Sequence, residues 1–249
     1  MNTDAMPTCR GLDCQRSELV AAHIIPKGVA RFTRQNDGNV ILTRERTQAS
    51  PQLGETDWNI LCAECDRILG GFDNALIDAA KRFKRLHRNA GRVWELPAVD
   101  SVKFAKAAYA ILWRASLSKR NTFAKFSLGE YEDAIRDLLF GRTTFTDRPD
   151  ISLLVQRYTS KFFDPSKLYM DPFAAPLISP NAAVIGVAGF RFIAKFDRLP
   201  LDAGRQAFDV ARTDRVRGTY VEIERTQEFD FITDVVVRDI GRSAGKGAR

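Results

Sequence analysis

Cys9-Arg10-Gly11-Leu12-Asp13-Cys14, Ala22-His23-Ile24-Ile25-Pro26 and Cys62-Ala63-Glu64-Cys65-Asp66 are the three pieces of sequence from which the rest of the chain is read. They contain all four cysteines, as a C-x4-C pair and a C-x2-C pair, with a histidine between the pairs. Two close pairs, far apart along the chain, are the usual way to grip one tetrahedral zinc from two knuckles. Four thiolates leave that ion no open position. Such a site is structural and adds folding energy to a segment too short to close a core of its own. Four unrelated thiols are the competing reading, and the spacing argues against it.

Working outward, composition sets the frame. The chain has 249 residues, of which 45% are hydrophobic and 28% charged, as in an ordinary globular protein with a real core. No run approaches the roughly 20 apolar residues of a membrane span, so no membrane association is expected. Met1-Asn2-Thr3-Asp4 is not the basic start of a signal peptide. The expected compartment is therefore the cytoplasm, where paired cysteines serve metals rather than disulfides. The net charge of +7 and pI of about 9.4 favour polyanionic partners, nucleic acid first. Lys81, Arg82, Lys84, Arg85, Arg88 and Arg92 follow one another with no intervening acid, and the stretch from Arg238 to Arg249 is basic too. A solvated helix face is the plain alternative for that run.

Local pattern gives the elements. Pro26 biases Ile25 toward an extended backbone, which puts His23 on or beside a short strand. Lys27 to Phe32 reads as a short helix, and Val40-Ile41-Leu42-Thr43 as one strand of a hairpin in a stretch (33–56) that is otherwise loop-like. A helix opens at Asp66 beside the second cysteine pair. Gly70-Gly71 is expected to interrupt it, and a second helix from Asp73 to Arg88 carries Leu76, Ile77, Ala80, Phe83 and Leu86 as its buried face. Ser101 to Ser118 and Tyr131 to Phe140 read as helices, the latter stopped by Gly141. From Ile151 onward the texture is of strands: Ile151 to Tyr158, Ala182 to Phe196, Tyr220 to Glu224, and Phe229 to Val237. The fold class is α+β, divided into a zinc-binding module with its basic helix (1–95), a helical then β-rich accessory domain (96–240) and a disordered basic tail (241–249).

The spacing Cys9-x4-Cys14, Ala22-His23-Ile24-Ile25-Pro26, Asn59-Ile60-Leu61-Cys62-x2-Cys65-Asp66 and Gly71-Phe72-Asp73 resembles the zinc-stabilised HNH endonucleases, a ββα-metal group. It is similar to uncharacterised bacterial and phage HNH-like proteins with a downstream Ile-Leu-Trp-Arg-Ala-Ser helix. Ile111 to Ser116 matches that helix here, followed by Leu128-Gly129-Glu130-Tyr131-Glu132. The motif resemblance covers about residues 9 to 75. It implies an N-terminal zinc-knuckle ββα-metal module followed by helices and a C-terminal antiparallel β-rich region. It implies that His23 is the general base that activates water against a phosphodiester, and that Asp66 is a ligand to a catalytic Mg²⁺ or Mn²⁺. Asp57 or Asn59 would orient the base, and Asp73 would add a second carboxylate to the catalytic ion. One departure stands out: the acid that commonly precedes the base histidine, as a further metal ligand, is Ala22 here.

Two functions follow as expectations. The first is a metal-dependent HNH-like endonuclease, DNA favoured as substrate, with structural Zn²⁺ as scaffold. The basic run Lys81, Arg82, Lys84, Arg85 and Arg88 would track phosphates, and the C-terminal region would select substrate or bind a protein partner. The alternative is a catalytically inactive zinc module that binds nucleic acid or a protein partner. The first requires His23 and Asp66 to reach solvent together; a His23 sealed in apolar packing favours the second. Trp113 and Arg114 read as core packing and a helix-face charge, and His87 as a surface residue.

Overall fold

The computed structural model describes residues 7–33, 39–42, 47–50, 55–85, 92–120, 123, 126–176, 178–230 and 233. In chain order its elements are β1 (Ala22–His23), α1 (Lys27–Thr33), β2 (Asn39–Leu42), β3 (Thr47–Ser50), β4 (Thr56–Asp57), α2 (Ala63–Arg85), β5 (Val93–Leu96), α3 (Ser101–Leu117), α4 (Tyr131–Leu139), β6 (Ile151–Thr159), β7 (Leu168–Ala174), β8 (Ala182–Val187), β9 (Phe190–Phe196), α5 (Ala203–Gln206) and β10 (Val216–Glu222). The class is α+β. β1 and β4 form a small two-stranded ladder, and eight strands form one sheet in the order β3-β2-β7-β8-β9-β6-β10-β5.

The sheet centre follows from its hairpin. Ala188 and Gly189 both take left-handed backbone angles (φ 52° and 78°), the two-residue turn whose twist matches the flanking strands. β9 then alternates. Phe190, Phe192 and Phe196 face the helices, where Phe104 of α3 meets Phe190 and Phe192 at centroid distances of 5.6 and 5.3 Å and Tyr109 meets Phe196 at 5.9 Å. Ile193 faces the other way, into a smaller cluster with Ala175, Ala182 and Val184. α3 is buried almost all round, as a helix apolar on every side must be, because α2, α4 and the sheet enclose it. Asp100 caps its first turn, accepting from the Lys103 amide at 2.9 Å, and the Tyr109 hydroxyl donates to the Ser152 carbonyl at 2.8 Å.

Four expectations are corrected. α2 is continuous through Gly70-Gly71. A helical glycine costs about 1 kcal/mol, and the buried face Leu69, Leu76, Ala79, Ala80 and Phe83 runs on past both glycines. The sheet is mixed rather than antiparallel, since β2–β7 and β6–β10 pair in parallel. A boundary at residues 95/96 separates no two cores. The β2–β3 hairpin forms one edge of the sheet, β5 forms the other, and one apolar cluster runs from Cys9 to Val216. Residues 227–230 are helical where a strand from Phe229 was expected. The remainder of that stretch, the 241–249 tail, His87 and Arg88 lie outside the described residues.

Candidate metal centre and the adjoining histidine

Cys9 and Cys14 sit in a tight turn. The Cys14 amide donates to the Gly11 carbonyl at 3.3 Å, Asp13 takes a left-handed φ of 53°, and the Cys9 amide donates to Arg16 at 2.8 Å. Cys62 immediately precedes α2 and Cys65 lies in its first turn. The Arg10 amide donates to the Ile60 carbonyl at 2.8 Å and the Val20 amide to Leu61 at 2.9 Å, which locks the first turn against the second. As a result one sulfur from each of the four cysteines lies within 4.8 Å of the others. Cys14 Sγ and Cys62 Sγ are 3.8 Å apart. A tetrahedron with metal–sulfur bonds of about 2.3 Å has edges of about 3.8 Å. Backbone amides of Cys62 and Gly11 point at Cys9 Sγ at 3.2 and 3.4 Å, positions that stabilise a thiolate. Burial pushes the Cys65 thiol up, whereas Cys62, in spite of burial, comes down to about 7 through hydrogen bonds from Cys65 and the other thiols. A bound dication removes this conflict among thiols, and the cluster can hold an ion such as zinc. Gly11 has no room for a side chain: a Cβ there would lie 2.3 Å from Cys65 Sγ.

The same clamp sets His23 beside the start of α2. β1 pairs with β4 so that Ala22 opposes Asp57 and His23 opposes Thr56. Cross-strand neighbours project to one side of the ladder. Asp57 therefore shares the buried side with Ala22, and His23 takes the other. His23 is half-buried and so is Asp66. Burial lowers the His23 pKa, Asp66 and Asp73 act against that shift, and Lys27 and Arg114 add to it. Burial raises Asp66, and the charges of Arg114 and His23 offset part of the rise. Histidine and carboxylate thus lie within electrostatic reach of one another, and neither is sealed in apolar packing.

Two assignments change. Asp57 does not orient the base: it lies on the opposite side of the ladder. Its oxygens accept from the Asn59 amide at 2.9 Å and the Ser118 hydroxyl at 2.8 Å. Asp73 is not free to act as a metal ligand. It is buried on α2, and Arg114 NH1 and NH2 donate to its two oxygens at 3.2 and 3.0 Å. Asn59 is exposed in the turn that Asp57 ties down. Lys81, Arg82 and Lys84 are exposed on the last turns of α2, and Arg85 ends that helix. Beside them α1 and α2 enclose a groove of about 640 Å³ lined by Gly28, Arg31, Phe32, Asn74, Ile77, Asp78 and Lys81.

Arg114 is a buried ion-pair residue and not a helix-face charge. It is 1% exposed, and its Nε also donates to the Ala110 carbonyl at 3.2 Å. The signal was there: a guanidinium inside the run Ile111-Leu112-Trp113-Arg114-Ala115 must have a buried partner. Trp113 is core, as read. Ser118, which holds Asp57, gave no signal in the sequence. The chain matches no protein-family model, and neither a curated protein nor a solved structure is significantly similar to it.

Proposed function

We propose that this protein is a metal-dependent endonuclease of the HNH type, built on a structural zinc. One observation carries the reading. Sulfurs from the two ends of the 9–65 segment converge, and within that segment the His23 imidazole and the Asp66 carboxylate act on one another electrostatically. A two-stranded ladder followed by a helix, with an imidazole on one and a carboxylate on the other, supports a phosphodiesterase site. Neutral His23, favoured by burial, would take a proton from the attacking water. Asn59 is the remaining candidate to orient that ring or its water. Asp66 would hold Mg²⁺ or Mn²⁺, which commonly bind through one or two carboxylates together with substrate phosphate. The ion, when bound, supplies charge stabilisation at the phosphate and the leaving oxygen. Lys27, whose charge reaches His23, and Arg31 four residues on in α1 lead toward Lys81 across the α1–α2 groove. Arg31 and Lys81, which share the groove with the acid Asp78, would contact the phosphate backbone on either side of the cut.

Plasmid and oligonucleotide substrates, DNA and RNA, incubated with Mg²⁺ or Mn²⁺ test this directly. Wild type is expected to nick or degrade DNA, and His23→Ala to be inactive at unchanged zinc content. Undiminished cleavage by His23→Ala would remove that residue from the mechanism. A second reading has its own support: Ala22 cannot ligate and Asp73 is engaged by Arg114, so the catalytic ion has a sparse protein ligand set. A non-catalytic zinc module binding nucleic acid or a protein partner predicts salt-dependent binding without cleavage by any divalent ion.

A further inference from the structure

Trp58 is 65% exposed, whereas Trp94 and Trp113 are 5% and 1% exposed. An indole left in water on a loop would mean little. This one stands in a segment held from both ends. On one side, the Ser118 hydroxyl and the Asn59 amide fix Asp57, and Arg120, at the end of α3, donates to the Thr56 carbonyl at 2.5 Å and pairs with Glu55 at 3.4 Å. On the other side, the Ile60 carbonyl accepts from Arg10, and the Cys62 amide points at Cys9 Sγ. The ring is thus presented by a rigid support, which lowers the ordering penalty of any contact it makes.

Its position gives the contact a direction. Thr56, two residues before Trp58, is the cross-strand partner of His23. Lys119 and the Glu55-paired Arg120 are exposed just beyond α3, and Lys27 acts on His23 itself. An exposed flat aromatic next to the two-residue strand that pairs with His23 is complementary to a base attached to a polyanion. Stacked bases inside a duplex offer no face to such a ring; unpaired ones do.

We propose that Trp58 is a stacking platform for an unpaired nucleobase, so that the strand engaged at His23 is single-stranded next to the bound phosphate. This rests on the nucleic-acid reading above and narrows it to a substrate class.

The test uses the full-length, zinc-loaded chain carrying His23→Ala, so that binding is read without turnover. Because Trp94 and Trp113 are buried, a change in indole emission on adding nucleic acid reports Trp58. Short oligothymidylate is expected to quench that emission, and a duplex of equal length to quench it far less. Trp58→Ala is expected to bind the single strand roughly 5- to 150-fold more weakly, with Trp58→Phe between the two. Both are surface changes that leave the core intact. Single-strand binding that is unaltered in Trp58→Ala, or that leaves the emission unchanged, overturns the stacking role and spares the nuclease reading. Emission that shifts with protein concentration alone assigns the ring to a second copy of the chain, and overturns it too. A chain that binds neither single strand nor duplex overturns the nucleic-acid reading itself.

Discussion

Arg114 donates to both carboxylate oxygens of Asp73, at 3.2 and 3.0 Å, and so ties α3 to α2 two turns beyond the cysteine of that helix's first turn. The two residues meet where the apolar face of α3 would otherwise confront a buried acid. The pair carries the alignment of α2, and hence of Asp66, onto the body of the protein.

Breaking that pair from one side leaves an uncompensated buried charge, at a cost of about 3–5 kcal/mol. Arg114→Met or Asp73→Asn should therefore lower the melting temperature by on the order of 10 °C in a chain of this size. The double variant Arg114→Met/Asp73→Leu should lose much less than the sum of the single changes. Thermal denaturation of the three variants checks this, and additive losses would show that the residues act independently.

Glycine substitutions near the metal should split by sign. Gly11→Ala drives a Cβ to within 2.3 Å of Cys65 Sγ and is expected to weaken zinc retention with all four ligands intact. At Gly70 and Gly71 nothing lies within 4 Å of a new Cβ. Alanine at either position should stabilise the protein by about 0.5–1 kcal/mol, through higher helix propensity and a less flexible unfolded chain. Chelator competition reads the first effect and denaturant titration the second.

Metal analysis should return one zinc per chain. Cys62→Ser or Cys65→Ser should lose it, and strong chelation should unfold the region around the first 65 residues, because metal binding there is folding energy. A fully folded, zinc-free protein would contradict the scaffold role.

The pH dependence follows from His23. Its folded pKa is lowered by burial below the 6.5 of a free imidazole. The neutral, base-competent form therefore persists as pH falls past 6.5, and the acid limb of any cleavage profile should lie below that value. Stability linked to the group has the same sign: fully present above 6.5, it is lost as pH falls toward the folded pKa. A kinetic acid limb above 6.5 would assign it to another group.

Much of the candidate site could be read from the chain itself. Cysteine spacing located the cluster, and Pro26 placed His23 on a strand. The strand texture across Ala182 to Phe196 holds, although it turns at Ala188-Gly189 and Phe190 to Phe196 is buried on both faces rather than half-buried, and Val40 to Leu42 does form half of a hairpin. The failures share a cause, tertiary contacts that override local signals. Leu168 to Ala174 does not read as a strand in the sequence at all; its Pro172 sits at a register shift between Met170 and Phe173, where an imino acid is tolerated. Thr47 to Ser50 is too polar to read as a strand and survives because it is an edge with one neighbour. Ladder pairing, invisible in the linear sequence, turned Asp57 away from His23. A long-range partner turned Arg114 from a surface charge into a buried one.

The edges of the large sheet have a consequence for biogenesis. β2, β3 and β5 leave the ribosome early, but their neighbours are encoded much later: Val40 lies against Leu168, and Leu96 against Val216. A nascent chain whose four cysteines have already converged must keep these segments unpaired until residues 168–222 have been synthesised. The metal site can mature on the growing chain, whereas the sheet can close only afterward. The N-terminal unit is therefore no cassette that evolution or a cloner can lift out and graft elsewhere, because its removal strips the remaining sheet of both margins.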